Sequence, residues 1–129
     1  MKNWSDTSTE DWHNNKYTKL VKNVVIKEGV KEIKYNMFSG CSQLENITIP
    51  EGITKIRGYA FRECKNLNNI ILPDGVNVIE SYAFSDCTNL KSVEMPDTVT
   101  GIGSGVFSNC GSLENVTISK GLTMIIYNV

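Results

Sequence analysis

The sequence predicts a mostly β solenoid, one chain wound into stacked coils, and three observations carry that prediction. First, a block of 23 residues running from Ile47 to Asn69 returns in the same grammar at 70–92 and 93–115, with an altered copy at 24–46 and a partial one at 116–129. Second, lining up these copies places apolar residues in seven columns, enough for one apolar interior shared by all coils. Third, each copy holds apolar residues two apart, as in a strand with one buried face, followed at a fixed offset by proline and glycine. The organisation expected is an N-terminal capping segment (1–23), four full repeats (24–46, 47–69, 70–92 and 93–115) and a partial fifth (116–129). Such units cannot bury their apolar side alone and become stable by stacking.

The first 22 residues are polar and do not repeat, with Trp4, Trp12, Tyr17 and Leu20 as apolar anchors. Ser8 and Asp11 form a capping pair for a short helical turn over 9–15. An array needs an atypical end to shield its first rung, and Trp12 is the candidate lid. Val21 lies one period before Leu44, so this stretch reads as the tail of an unusual first unit.

Within each repeat, Val24, Ile47, Ile70, Val93 and Val116 make one strand column, and Ile26, Ile49, Leu72, Met95 and Ile118 a second. Stacked in register they predict a parallel sheet along one side. Pro50, Pro73 and Pro96 end the strands, because proline has no ladder donor. Gly29, Gly52, Gly75 and Gly121 follow where a tight turn requires positive φ, with Thr98 in the fourth unit. Then comes a β-branched extended piece (Val30, Ile53, Val76, Val99, Leu122; Ile33, Ile56, Ile79, Ile102, Ile125). Last, Phe, Cys and Leu columns spaced three apart suit short 3-10 or α turns. The sequence stops after Val129, so the partial unit lacks its phenylalanine, and an uncapped apolar rung there predicts a lost continuation, self-association across that edge or fraying.

The formal charge of −1 gives no electrostatic case for nucleic acid or an anionic membrane. No apolar run approaches the ~20 residues needed to span a bilayer, so membrane insertion is not expected. The first ten residues contain no apolar core of a secretory signal; the chain is either cytosolic or has had such a signal removed. His13, the single histidine, has no nucleophile or acid at motif spacing, and no phosphate-loop, dinucleotide or EF-hand pattern is present. No enzymatic activity, catalytic residue, metal or cofactor is therefore expected.

The cysteines, Cys41, Cys64, Cys87 and Cys110, share one inward column. Neighbours one rung apart (about 5 Å) are near enough for a disulfide, but parallel side chains do not meet with its torsion, and a straight ladder cannot offer four sulfurs tetrahedrally. Buried free thiols are the expectation. The concave strand face is the expected place for a partner. Its outward positions are Val25, Thr48, Ile71, Glu94 and Thr117, flanked by Asn23, Asn46, Asn69, Ser92 and Asn115. Among these, Asn46, Thr48, Asn69, Ile71, Ser92, Glu94, Asn115 and Thr117 are the candidate binding residues. They form a polar, almost uncharged row suited to hydrogen bonding with a protein or a glycan, as well as to a plain solvated sheet face. Tyr59 and Tyr82 make a small aromatic patch on the opposite side, most simply a packing feature. Glycosylation sequons occur at Asn3, Asn46 and Asn115, two of them on the sheet, where strand composition is a sufficient reason for them.

The pattern Ile-x-Ile-Pro-x-Gly-Val-x-x-Ile-x-x-x-Ala-Phe-x-x-Cys-x-x-Leu resembles the BspA-type leucine-rich repeat over residues 24–125. Trp12, the lysines at 16, 19 and 22, and Val24-Val25-Ile26 are similar to that family's entry segment. Departures are Lys27 and Ser119 at the proline position, Thr98 at the glycine position, and Met37 and Val106 at the alanine position. The resemblance implies a right-handed leucine-rich-repeat solenoid of about five coils, part of a longer cell-surface or secreted protein acting in adhesion and recognition. The expected function is a non-catalytic recognition module. A structural spacer and a repeat appendage of an enzyme whose catalytic part lies elsewhere are the alternatives.

Overall fold

The computed structural model describes residues 2–4, 16–117, 120 and 124–125. The expected helical turn over 9–15, the Trp12 lid, His13, Gly121 and most of the partial fifth unit lie outside the described residues. The elements are β1 (Lys2–Trp4), a 3-10 turn (Lys16–Lys19), β2 (Asn23–Ile26), β3 (Glu32–Ile33), β4 (Asn46–Thr48), β5 (Lys55–Ile56), β6 (Asn69–Ile71), β7 (Val78–Ile79), β8 (Ser92–Glu94), β9 (Gly101–Ile102), β10 (Asn115–Thr117) and β11 (Met124–Ile125). Every strand pair is parallel. Each coil of this β solenoid therefore supplies one front strand, one two-residue side strand and an arc that returns the chain.

The side strands form one unbroken sheet, β3-β5-β7-β9-β11. The front strands do not. They divide into β1-β2-β4 and β10-β8-β6, with no ladder joining β4 to β6. This corrects the expectation of one continuous front sheet. The 23-residue step between Asn46 and Asn69 is intact, so the split is not an insertion or deletion. At the N-terminus β1 pairs with β2, Lys2 opposite Val24, a step of 22 residues, so the entry segment adds a strand to the front. Leu20 is 66% exposed, whereas Thr18 is buried and Val21 packs against the core.

The arc that the three-residue spacing assigns to 3-10 or α turns contains no helix; it is a chain of β-turns. One set of amides closes turns on the residue three back: Met37 N–H to Lys34 O, Ser39 to Asn36 and Cys41 to Phe38. The alternate amides reach the next coil: Asn36 N–H to Gly58 O, Phe38 to Ala60 and Gly40 to Arg62. Both classes recur in the following coils, so the arc is hydrogen-bonded locally and along the stack at once. That geometry requires left-handed residues at two positions per coil: Asn36, Tyr59, Tyr82 and Gly105, then Gly40, Glu63, Asp86 and Asn109. Gly29, Gly52 and Gly75 take φ near +100° as expected. In the fourth unit Thr98 takes over that turn differently: its hydroxyl accepts from Gly75 N–H (3.1 Å) and donates to Val76 O (2.7 Å).

The core is the stack of columns. Phe38, Phe61 and Phe84 are fully buried, as are Leu44, Leu67, Leu90, Ile33, Ile56 and Ile79. The rings stack at 5.4 Å (Phe38–Phe61), 5.2 Å (Phe61–Phe84) and 5.9 Å (Phe84–Phe107). From the fourth phenylalanine position onward burial weakens: Phe107, Cys110, Leu113 and Val116 are only partly buried.

Close coil spacing makes one glycine a sharp test. A Cβ on Gly103 would sit 2.5 Å from the Ser81 backbone nitrogen, while one on Gly101 or Gly111 meets nothing within 4 Å. Gly103→Ala is expected to cost about 1–3 kcal/mol by overpacking. Gly101→Ala and Gly111→Ala should change little, and urea titration midpoints of the three variants check the contrast.

Candidate functional site

The front strands place the predicted residues in register. Asn23 pairs with Asn46, Asn69 with Ser92, and Ser92 with Asn115; Val25 pairs with Thr48, Ile71 with Glu94, and Glu94 with Thr117. Asn46, Thr48, Asn69, Glu94, Asn115 and Thr117 are exposed, and Ile71 is 67% exposed. Val25 and Ser92 are half-buried and contribute less surface than the alternation predicts. The side-chain amide of Asn46 donates to Asn23 Oδ1 at 3.0 Å, but this ladder does not continue to Asn69, where the sheet is split. The facing edges of β4 and β6 thus present main-chain donors and acceptors outside any ladder, next to the most exposed isoleucine of the face. Ile47 and Ile49 of that coil are only partly buried, while Val24, Ile70 and Val93 in the first column are 1–3% exposed.

The side sheet carries an ionic clamp. Arg57 holds Glu32 through Nε and Nη2 (3.3 and 3.1 Å) and Glu80 through Nη1 (2.8 Å), joining three consecutive coils. The second oxygen of Glu80 accepts from Gly58 N–H at 3.0 Å. Hydrogen bonds to Glu32 and then Glu80 raise the Arg57 pKa further, so the clamp is permanently charged on its basic side.

The arc holds a feature that sequence reading assigns only to packing. Tyr59 and Tyr82 stack at 5.2 Å and 14°, and Tyr35 meets Tyr59 edge-on at 5.6 Å. Arg62 lies over Tyr59 with its guanidinium carbon 5.8 Å from the ring centre. Both stacked tyrosines are left-handed (φ +57° and +60°), a conformation that costs a bulky L-residue roughly 1–2 kcal/mol. Asn36 and Gly105 fill the same column at little cost. Two clefts border this column, one of about 500 Å³ lined chiefly by polar groups and one of about 430 Å³ lined mainly by apolar ones. The sequence signal was the Tyr-Ala-Phe tripeptide in two adjacent coils; the left-handed backbone beneath it has no signature in residue type.

All four cysteines are free thiols, and Cys41, Cys64 and Cys87 are buried while Cys110 is half-buried. Each later thiol donates to the phenylalanine carbonyl one coil back: Cys64 to Phe38 O (3.2 Å), Cys87 to Phe61 O (3.0 Å) and Cys110 to Phe84 O (3.1 Å). Burial pushes the thiols of Cys41 and Cys110 up to about 12 and that of Cys64 well above its ordinary value. They are small core groups, not nucleophiles. Among the described residues no group of three or more metal-ligating side chains comes together, and no helix is long and apolar enough to cross a membrane.

Comparison with known proteins agrees with this architecture. The family model described as BspA type leucine rich repeat region matches six copies over residues 14–129. A leucine-rich repeat protein of T. pallidum is 36% identical with a TM-score of 0.73; the match covers 74% of this chain and 45% of that one. A leucine-rich repeat protein from Bacteroides ovatus is 33% identical with a TM-score of 0.79, covering 84% of this chain and 28% of that one. The pneumococcal vaccine antigen PcpA shares the fold at 24% identity and a TM-score of 0.59, over 78% of this chain and 31% of its own. No curated protein matches. The chain thus spans less than half the length of the solved relatives it matches. With its coil repeat, parallel strands and matched family model in agreement, the chain belongs to the BspA-type leucine-rich repeat family.

Proposed function

We propose that this chain is a non-catalytic recognition module of a larger cell-surface or secreted protein, and that its front strand face binds a protein partner. The observation that carries the reading is the row of exposed residues Asn46 and Thr48 on β4 and Asn69, Ile71, Glu94, Asn115 and Thr117 on β6, β8 and β10, the last three strands being in register with one another. Polar side chains with one apolar anchor, Ile71, beside the main-chain groups of the β4/β6 split suit a polypeptide, which offers matching N–H and C=O groups. Membership of the family supports a repeat-based interaction role, and its surface or secreted setting is part of this proposal.

The triple variant Thr48→Lys/Ile71→Ser/Glu94→Lys tests it on an array of purified extracellular proteins. A partner captured by the wild-type chain should bind the variant at least tenfold more weakly, about 1.4 kcal/mol, with an unchanged melting curve. Equal capture of both chains, or no capture of any protein, sinks the reading and favours a spacer.

A further inference from the structure

We propose that the polar cleft beside the tyrosine column is a second binding site, on the arc and apart from the strand face, that takes a neutral oligosaccharide. The cleft crosses four coils, with Tyr35 from the first, Tyr59 and Arg62 from the second, Tyr82, Ser85 and Asp86 from the third, and Asn109 from the fourth. At roughly 4.8 Å per coil it is about 15 Å long, which matches a short chain of sugar rings rather than a single small molecule. Its volume of about 500 Å³ lies within the range of small-ligand sites.

The chemistry of the lining selects the ligand class. Arg62 and Asp86 approach to 3.9 Å, so the cleft carries one cation against one anion and favours an uncharged occupant. Asn109 donates to Asp86 Oδ1 at 2.9 Å, and Arg62 faces Asp86 Oδ2 while its Nη2 holds Glu63 Oε1 at 3.3 Å, so both polar groups are fixed in place and keep further donor and acceptor capacity toward the cleft. Planar acceptor and donor groups side by side match adjacent sugar hydroxyls, each of which both donates and accepts. The tyrosines border the same cleft with apolar ring surface and hydroxyls, which complement the C–H groups and oxygens of a sugar ring.

Two observations make this more than a surface recess. Ser85 is a residue 97% buried that lines the cleft, and its hydroxyl has no hydrogen-bond partner among the described residues. A buried hydroxyl without a partner calls for an external one, and a ligand hydroxyl supplies it. In addition, Tyr59 and Tyr82 hold left-handed backbone that the same column accommodates with Asn36 and Gly105. Strained residues kept in adjacent coils, where unstrained ones fit, mark a site under functional demand.

The experiment titrates the chain with cello-, malto-, xylo-, manno- and chitohexaose, read by calorimetry and by amide shifts. At least one should bind, with shifts confined to Tyr35–Asn36, Tyr59–Arg62, Tyr82–Asp86 and Ser108–Asn109. Tyr59→Asn/Tyr82→Asn keeps a residue tolerant of the left-handed backbone and should weaken binding at least tenfold. Ser85→Ala should weaken it severalfold while leaving the melting temperature equal or higher, because it removes a group that is unpaired only in the free protein. The strand-face triple variant should bind the saccharide as the wild type does, which separates this site from the protein-binding face. No binding to any of the five, binding that survives the tyrosine and serine changes, or binding lost in the strand-face variant overturns the proposal. Titration with a mixed hexapeptide library that shifts the same amides in place of sugars would overturn the ligand class.

Discussion

Phe84→Ala is expected to cost about 3–5 kcal/mol, the largest loss from any single truncation considered for this chain. Phe84 has no exposed surface and is stacked on both sides, against Phe61 at 5.2 Å and 1° and against Phe107 at 5.9 Å and 13°. Removing the ring takes contact from two coils at once, and the arc hydrogen bonds from Phe84 N–H to Val106 O and from Asp86 N–H to Ser108 O hinder collapse into the cavity. The Phe84 carbonyl also accepts the Cys110 thiol, so the local shift propagates to the next coil. In a solenoid each coil touches only its neighbours, so such a loss divides the array rather than weakening it uniformly. Phe107→Ala is the internal comparison. Its ring is half-buried and stacks, among the described residues, on Phe84 alone, so its truncation should fall below about 3 kcal/mol. Urea unfolding with native-state hydrogen exchange resolves both: Phe84→Ala should lower protection in coils on either side, Phe107→Ala mainly toward the C-terminus. Equal losses for the two variants would remove the distinction between a closed interior and a looser end.

The physics of legibility is uneven along each coil. The columns are readable because a period of 23 residues returns the same side chain to the same environment, and the buried Ile56, Phe61, Cys64 and Leu67 stand where the pattern puts them. Gly29, Gly52 and Gly75 are readable because positive φ selects glycine. Tyr59, Glu63 and Tyr82 share that backbone region without any residue-type signal, so an arc of β-turns is indistinguishable in sequence from short helical turns. The split between β4 and β6 is equally silent, since ladder geometry over three-residue strands is set by how coils lean on one another. The candidate site follows the same rule. Alternation correctly exposes Thr48, Ile71 and Glu94, but half-burial of Ser92 and Val25 depends on neighbouring turns that the alternation does not encode. The tyrosine cleft needs Arg62, Ser85, Asp86 and Asn109 from three coils, and only the stacked structure brings them together.

Alkaline pH should unfold the chain through its thiol column, the second large effect expected. An unfolded cysteine ionises near 9.0, whereas burial holds the Cys41 thiol protonated up to about 12, and Cys64 and Cys110 move in the same direction. Below pH 9 both states keep the proton and the stability of the column is fully present. Between about 9 and 12 the unfolded state releases protons that the folded state retains, so stability falls as pH rises. Each such thiol contributes a slope of about 1.4 kcal/mol per pH unit, so Cys41 alone removes about 2 kcal/mol by roughly pH 10.5. Ionisation in place is disfavoured further for Cys64 and Cys110, because each S–H donates to a phenylalanine carbonyl and a thiolate beside that oxygen would be repelled. The informative readout is the slope rather than the midpoint. Cys41→Ala should lower stability at pH 7 yet flatten the fall between pH 9.5 and 11 by about 1.4 kcal/mol per unit. A parallel measurement follows native thiol reactivity at pH 8: half-buried Cys110 should react with a disulfide reagent before Cys41, Cys64 and Cys87, whose modification waits on opening of the coils. An unchanged slope in Cys41→Ala, or rapid native modification of Cys64, would mean that the column is open to water, and the account of these cysteines as core groups would fall with it.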